Sequence, residues 1–192
     1  GHQTEAGMNR IGHNNGPTME PGESWRRHAW GRARARLLPV LPIEVVRLRV
    51  KRAAEIGLDY RTYASIRAAS GHDVIAFLFS TNALRLLAPQ PALPQDRASG
   101  LSAITGTARV ALARAPLTPD RVLALAPGLL DAAHAAPRPF AGWGEARRAL
   151  LAALPGCPAD RVVMVGDTGE ERGWAEAARL AAYLPAERYF AA

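Results

Sequence analysis

The spacing of apolar residues predicts two helices in the first third of the chain. Apolar positions recur every three or four residues over 43–56 and again over 60–69, which is the period of an amphipathic helix. Gly57 and Gly71 stand where these helices should end, and Asp59 can cap the second one. The predicted buried stripe of the first helix consists of Ile43, Val46, Val50, Ala53 and Ala54.

Short, continuous apolar runs follow and predict buried strands. The runs 74–79, 108–113 and 162–165 are typical of strands that are covered on both faces. Helical patterns lie between them, and one starts at Thr118, which is followed by Pro119 and Asp120. Strands that alternate with helices pair in parallel, so we predict an α/β fold with a small, parallel, three-layer sheet. The two other helical stripes consist of Trp143, Ala146, Leu150, Ala153 and Leu154, and of Trp174, Ala177, Ala178 and Ala181.

Changes in composition divide the chain into three predicted parts. Residues 1–23 are rich in Gly, Pro and Asn and should form a flexible N-terminal arm. Residues 24–71 form an arginine-rich helical region that precedes the α/β domain of residues 72–192. Within that domain, the proline-rich segment 89–100 is predicted to be a surface connection or a mobile loop.

Composition and charge point to a folded protein with a polyanionic partner. The chain has 192 residues, of which 48% are hydrophobic and 21% charged, so a packed core is expected. Its formal net charge is +7, and residues 24–72 carry eleven basic but only three acidic side chains. A positive surface confined to one region favours nucleic acid or another polyanion as the partner.

The sequence also bears on where the protein works. Cys157 is the single cysteine, so no internal disulfide can form. The apolar runs fall short of the roughly 20 residues that cross a bilayer, and no secretory signal is visible. We therefore expect a cytoplasmic protein that does not bind membranes.

The predicted hairpin has the features of two helices that cross at a steep angle. Ala53 is small where the helices should approach, and Gly57 can take a positive φ at the turn. Tyr63 and Ile66 can face inward from the second helix. Residues 49–68 thus resemble the helix-turn-helix of bacterial repressors, whose second helix enters the major groove. The resemblance implies phosphate contacts by Arg47, Lys51 and Arg52, and nucleic-acid contacts by Tyr60, Arg61, Thr62, Ser65 and Arg67 from the exposed face of the second helix.

The alternative interpretation of this segment is a structural hairpin that carries arginines on its surface. Many helical hairpins have a small residue, a glycine turn and inward apolar residues at such spacings. A predicted strand also follows the second helix almost immediately, where helix-turn-helix domains usually supply more helices. The two interpretations differ in whether the second helix presents its polar side chains to a partner.

A second candidate site lies in the α/β domain, at the ends of two predicted strands. Ser80 follows one strand, and Asp167 and Thr168 follow another. Ligand sites of open parallel sheets lie at the carboxyl ends of the strands. We therefore expect these side chains to share one crevice.

The same segments resemble the haloacid-dehalogenase-like hydrolases. The string Val165-Gly166-Asp167-Thr168 is similar to the fourth motif of that family, whose acids hold Mg²⁺, and Glu171 matches its second acid. Phe79-Ser80-Thr81-Asn82 looks like the second motif, and Arg138-Pro139 stands where a Lys-Pro often occurs. The resemblance spans residues 72–190 and implies a phosphate pocket formed by Ser80, Thr81, Arg138, Asp167, Thr168 and Glu171.

The sequence departs from that family at the nucleophile. Its members attack phosphate with the first Asp of an Asp-x-Asp strand end upstream of the Ser/Thr strand, and residues 24–73 contain no such pair. Lys51 is the only lysine, and it lies on a different predicted element. We therefore predict no catalytic residue and no cofactor, with Mg²⁺ required only if the chain is an active phosphohydrolase.

Three functions follow as hypotheses. The first is non-catalytic binding of nucleic acid or another polyanion through the basic hairpin. The second is hydrolysis of phosphate esters, or descent from such a hydrolase with loss of activity. The third is a protein-interaction adaptor that buries Trp25 and Trp30 against another chain. The sequence shows neither metal-ligand spacing nor a glycine-rich phosphate loop, which argues against a zinc site, a dinucleotide enzyme and a P-loop NTPase.

Overall fold

The computed structural model describes residues 41–191. The predicted flexible arm of residues 1–23, the arginine-rich stretch 24–40 and the proposed contacts of Trp25 and Trp30 lie outside the described residues. Between residues 41 and 191, no helix has both the length and the apolar character needed to cross a bilayer.

The predicted helical hairpin is present. Helix α1 (Ile43–Glu55) and helix α2 (Tyr60–Ser70) are joined by a short turn in which Gly57 adopts φ +75°. The side chain of Asp59 accepts a hydrogen bond of 2.7 Å from the backbone amide of Thr62, which caps α2 as expected. Gly71 ends α2 in the left-handed region.

A five-stranded parallel sheet follows the hairpin. Its strands are ordered β3-β2-β1-β4-β5, and all four neighbouring pairs run parallel, which confirms the predicted α/β fold. The three predicted strands are confirmed with small changes at their ends. The two short outer strands, β3 and β5, were not predicted, because a segment of four residues is too short to show a clear period. The strands are β1 (Ala76–Ser80), β2 (Ala108–Ala113), β3 (Ala132–Ala135), β4 (Val162–Gly166) and β5 (Ala182–Pro185).

Helices connect these strands and cover both faces of the sheet. The prediction of a loop over 89–100 is wrong in its second half, because a helix starts at Gln95 directly after Pro94. Proline is favourable just before a helix, where its missing N–H is no loss. The connecting helices are α3 (Gln95–Ser102), α4 (Pro119–Leu125), α5 (Trp143–Ala152), α6 (Gly169–Ala177) and α7 (Ala186–Tyr189), with a 3₁₀ turn at Ala159–Arg161.

Alternation along the strands separates two buried layers. Phe77 and Phe79 of β1 pack with residues of α1 to α4 and α7, whereas Ala76 and Leu78 pack with residues of α5 and α6. Successive side chains of a strand point to opposite faces, so each central strand contributes to both layers. The predicted three-layer arrangement is thus confirmed.

The helical hairpin belongs to the first of these layers. Ile56 and Tyr63 are buried in the same cluster as Phe77. The hydroxyl of Tyr189, in the last described helix, donates a hydrogen bond of 2.8 Å to the carbonyl of Ile56. A Cβ atom on Gly57 would lie 2.9 Å from that hydroxyl, so both its positive φ and this close contact favour glycine at the turn.

The predicted apolar stripes of α1 and α5 are only partly buried. On α1, Ala53 is buried, but Ile43 and Val50 are 58% and 47% exposed. On α5, Ala146 is buried as predicted, whereas Trp143 is 61% exposed. The prediction fails at these three positions and also at Ala54, which is exposed. Each stripe packs against the domain over only part of its surface.

Arg52 ties the hairpin to the amino ends of β1 and β2. Its guanidinium donates to the carboxylate of Asp73 at 3.1 Å and to the hydroxyl of Thr107 at 2.6 Å. The same group also donates to the carboxylate of Glu55 and to the backbone carbonyls of Val74, Thr105 and Gly106. A guanidinium has five N–H donors, so this set of acceptors uses all of them.

Asp73 is held in its charged form by the same cluster. Burial alone would raise its pKa, but hydrogen bonds from the hydroxyl of Tyr63 and the amide of Val74, together with the charge of Arg52, lower it. A charged carboxylate accepts these bonds better than a protonated one, so Asp73 and Arg52 stabilise each other.

Replacing Arg52 with methionine should cost about 3 kcal/mol of unfolding free energy, because Asp73 loses its cationic partner and three backbone carbonyls lose a donor. Arg47→Met on the exposed side of the same helix is the matched control and should change stability by less than about 0.5 kcal/mol. Urea denaturation followed by circular dichroism measures both. Equal stability of the two variants would contradict the structural role of Arg52.

Candidate site at the carboxyl edge of the sheet

The strand order places the candidate site between β1 and β4. From β1 the chain builds outward through β2 and β3, then returns to the other side of β1 to form β4 and β5. Open parallel sheets bind ligands where the order reverses in this way, at the carboxyl ends of the strands. Ser80 ends β1 and Gly166 ends β4, so the predicted neighbours do lie at this point.

The carboxylate of Glu171 occupies the centre of this edge. Glu171 has no solvent exposure. One of its oxygens accepts from the hydroxyl of Ser80 and from the amide of Asp167, both at 2.7 Å. The other accepts from the side-chain amide of Asn82 and from the guanidinium of Arg114, both at 2.9 Å. A buried carboxylate needs this number of donors to offset the loss of hydration.

Local sequence explains why Glu171 reaches the strand ends. Thr168 caps α6 by accepting from the amide of Glu171 at 3.1 Å, which places Glu171 in the first helical turn. Gly166 has no Cβ, and one built there would lie 3.0 Å from the Glu171 carboxylate and 2.6 Å from the ring of Tyr183. A larger residue at Gly166 would therefore push Glu171 away from β4.

Arg114 supplies the positive charge of the site. It directly follows β2, and its guanidinium binds Glu171 and Glu170 while lying 4.9 Å from the ring centre of Trp174. Burial works against its charged form, but the hydrogen bonds to Glu171 and Glu170 outweigh this and raise the pKa of Arg114. The pKa of Glu170, in contrast, is lowered. Burial would raise it, but the hydrogen bonds from the backbone amide of Phe140 and from the guanidinium of Arg114 outweigh this effect.

Two more predicted residues are drawn into the same network. Asp167 accepts from the guanidinium of Arg85 at 2.9 Å, and Arg85 adopts φ +57°. The hydroxyl of Thr81 accepts from the amide of Arg114 at 3.1 Å. Of the predicted pocket residues, five therefore lie in one connected network: Ser80, Thr81, Asp167, Thr168 and Glu171.

Arg138 does not join that network. Its guanidinium donates to the carboxylate of Glu145 at 2.7 and 2.9 Å, and its side chain is 81% exposed. Arg138 lies on the loop that follows β3, at the outer end of the sheet. Its predicted place in a phosphate pocket is not supported by these contacts.

Four residues of the network were not predicted from the sequence: Asn82, Arg85, Arg114 and Glu170. A signal was available for Arg114, because it follows a predicted strand just as Ser80 does. The role of Arg85 depends on a left-handed backbone conformation at a residue other than glycine, which sequence patterns rarely reveal.

The acids of the site do not fit a bound Mg²⁺. Both matched acids, Asp167 and Glu171, already accept from arginine side chains. Within residues 41–191, no group of three or more His, Cys, Asp or Glu side chains is arranged to hold a metal ion. A divalent cation at this edge would face Arg85 and Arg114, whose charges repel it.

The residues assigned to nucleic acid are divided between surface and interior. Arg47, Lys51 and Arg61 are exposed, and Tyr60 is partly so. The expectation that Ser65 lies on the exposed face of α2 is wrong, because it is 4% exposed.

Three further members of that set have partners within the protein. Arg52 binds the amino ends of the sheet, and the hydroxyl of Thr62 donates to the capping Asp59 at 3.0 Å. Arg67 contacts the hydroxyl of Tyr63 and lies 3.8 Å from Asp73. The exposed cations of the hairpin are therefore fewer than the sequence suggested.

Comparison of the chain with models of known protein families, with curated protein sequences and with solved structures gives no significant match.

Replacing Glu171 with glutamine should cost about 3 kcal/mol of unfolding free energy, since an amide nitrogen would face hydrogen-bond donors and Arg114 would lose its buried partner. Glu170→Gln, on the adjacent and partly exposed residue, is the matched control and should cost about 1 kcal/mol. Thermal or urea unfolding measures both. A larger loss for Glu170→Gln than for Glu171→Gln would contradict the central place of Glu171.

Proposed function

We propose that this chain is a non-catalytic binding protein that engages a polyanion, with nucleic acid as the first candidate, and that its α/β domain is an inactive relative of the haloacid-dehalogenase-like hydrolases. The observation that carries the absence of catalysis is the Glu171 network. It occupies the edge where a parallel sheet would bind a substrate. Both oxygens of Glu171 already accept hydrogen bonds, so Glu171 cannot hold Arg114 and bind a ligand at the same time.

The chemistry of the strand ends supports the absence of turnover. Ser80 has no solvent exposure, so a substrate does not reach its hydroxyl. Its proton is donated to Glu171, and its oxygen accepts from the amide of Ala83. A nucleophile needs access to the atom that it attacks, and Ser80 lacks it.

The order of strands refines the resemblance to that hydrolase family. Among residues 41–191, β1 is the first strand, so no strand end upstream of it can carry the Asp-x-Asp pair. When β1 is matched to the strand that carries the Asp-x-Asp pair in that family, Ser80 and Asn82 take the positions of the two acids. They then no longer belong to the second motif. Both are uncharged side chains that donate to Glu171. In this proposal the two acids are replaced by uncharged donors, and these same donors stabilise the buried carboxylate of Glu171.

The exposed cations of the hairpin support the polyanion. Arg47 and Lys51 stand four residues apart on α1 and so share one face of the helix, and Arg61 is exposed in the first turn of α2. None of the three forms a hydrogen bond or ion pair to another described residue. Cations of this kind neutralise phosphates and release counterions, which makes the affinity strongly dependent on salt.

The purified protein should not hydrolyse p-nitrophenyl phosphate above background with or without Mg²⁺, because the end of β1 and the turn after it carry Ser80 and Asn82 where the two acids of the family would stand. Release of nitrophenolate measures this. Turnover that requires Mg²⁺ and disappears in Asp167→Asn would overturn the proposal of an inactive relative. Asp120→Asn, which removes an exposed acid elsewhere, is the matched control and should behave like the unchanged protein.

Binding of fluorescein-labelled duplex DNA should weaken steeply with salt, and the double variant Arg47→Ala, Lys51→Ala should lower the slope of log affinity against log salt by about 2. Fluorescence anisotropy at several salt concentrations measures the slope. The matched control removes two exposed arginines elsewhere, Arg121→Ala and Arg188→Ala, and should leave a larger slope. No binding at low salt, or equal slopes for the two double variants, would overturn the role of the hairpin.

A further inference from the structure

The start of α5 exposes large apolar side chains that the fold does not use. Phe140 is 97% exposed, Trp143 61% and Leu151 37%. Trp143, Arg147 and Leu151 are spaced four residues apart and so form one stripe along the helix. This surface, made of Phe140, Trp143, Arg147 and Leu151, is called the α5 ridge below.

The adjacent face of α5 is already occupied. Ala146, Leu150 and Ala153 are buried against α6 and the sheet. The α5 ridge therefore lies beside the buried stripe and extends over about 12 Å of helix, at 1.5 Å per residue. That length matches two turns of a partner helix.

The fold holds Phe140 in its exposed position. Phe140 has φ +59°, a conformation that bulky residues rarely adopt and that costs free energy. Its amide donates a hydrogen bond of 2.9 Å to Glu170, and Glu170 in turn pairs with Arg114. The network at the carboxyl edge of the sheet thus fixes the backbone that presents this aromatic ring.

The charges around the α5 ridge are positive. Residues 138–151 contain three arginines and one glutamate, and that glutamate, Glu145, is paired with Arg138. Arg147 and Arg148 form no hydrogen bond or ion pair to another residue in 41–191 that the structure describes. A partner that covers the ridge therefore has to bring carboxylates to these two arginines.

We propose that the α5 ridge is a docking site for an acidic amphipathic helix of another protein. Its apolar residues would cover Phe140, Trp143 and Leu151, and its Asp or Glu side chains would pair with Arg147 and Arg148. An amphipathic helix that docks through its apolar face uses anchors at its i, i+4 and i+7 positions. Aromatic residues and arginine are also the side chains that contribute most at protein interfaces. The site goes beyond the proposed polyanion binding and shares no residue with it.

The same charges disfavour two other occupants. A second copy of this chain would place Arg147 and Arg148 near an identical positive pair, since a two-fold interface joins the same surfaces. Residues 1–40 carry six arginines against three glutamates, so they match the ridge poorly in charge. Single-stranded nucleic acid could stack on the aromatic rings and bring phosphates to Arg147 and Arg148, but Leu151 offers no ring for a base to stack on, and the test below includes this occupant as an outcome.

The test is a selection from a displayed library of amphipathic helical peptides against the full chain. Enriched peptides should carry Asp or Glu beside a stripe of Leu or aromatic residues. Their affinity, measured by anisotropy with labelled copies, should fall at least tenfold for the double variant Phe140→Asn, Trp143→Ser. Asparagine tolerates the left-handed conformation of residue 140, so this variant should still fold. The control Leu87→Ser removes an exposed leucine on another loop and should bind like the unchanged protein.

Four results would overturn the proposal. They are enrichment of basic or uncharged peptides, equal peptide binding by the double variant and the control, self-association of the chain that is lost in the double variant, and quenching of Trp143 by a single-stranded oligonucleotide. The first two remove the acidic helix as occupant, the third favours a second copy, and the fourth favours nucleic acid. Because the selection does not depend on Arg47, Lys51 or Arg61, its failure would leave the DNA-binding experiment unaffected.

Discussion

A carboxylate without access to water determines how the central part of this protein is arranged. Charge is costly to bury, and Glu171 is stabilised only because four donors from different parts of the chain converge on it. These donors come from the end of β1, the turn after it, the residue after β2 and the residue after β4. Their convergence requires the strand order that places β1 between β2 and β4. The sheet and the network therefore specify each other.

The elements with strong local signals could be predicted from the sequence. Asp59, Gly57 and Gly71 mark the ends of the hairpin because capping and left-handed turns depend on a residue and its immediate neighbours. The central strands could be found because a continuous apolar run of five or six residues suits a strand that is covered on both faces. The shared edge of Ser80 and Asp167 followed from a rule on parallel sheets.

What could not be predicted depends on contacts between distant residues. A sequence shows that arginines are abundant, but not that Arg52 and Arg114 face inward while Arg47 and Arg61 face solvent. That distinction is set by which carboxylates the fold brings near each guanidinium, over separations of 21 residues for Asp73 and 57 for Glu171. Trp143 shows the same limit for apolar residues, since helical spacing places a side chain on a face but does not say how far the neighbouring layer extends.

The contact between Tyr189 and Ile56 joins the first described helices to the last one across 133 residues of sequence. Phe77 and Phe79 pack against the ring of the same tyrosine. During synthesis on the ribosome, the hairpin and the central strand emerge long before this residue does. The first layer of the core therefore lacks its closing side chain until Tyr189 has been synthesised, and the chain has to avoid aggregation through that interval with Phe77 and Phe79 only partly covered.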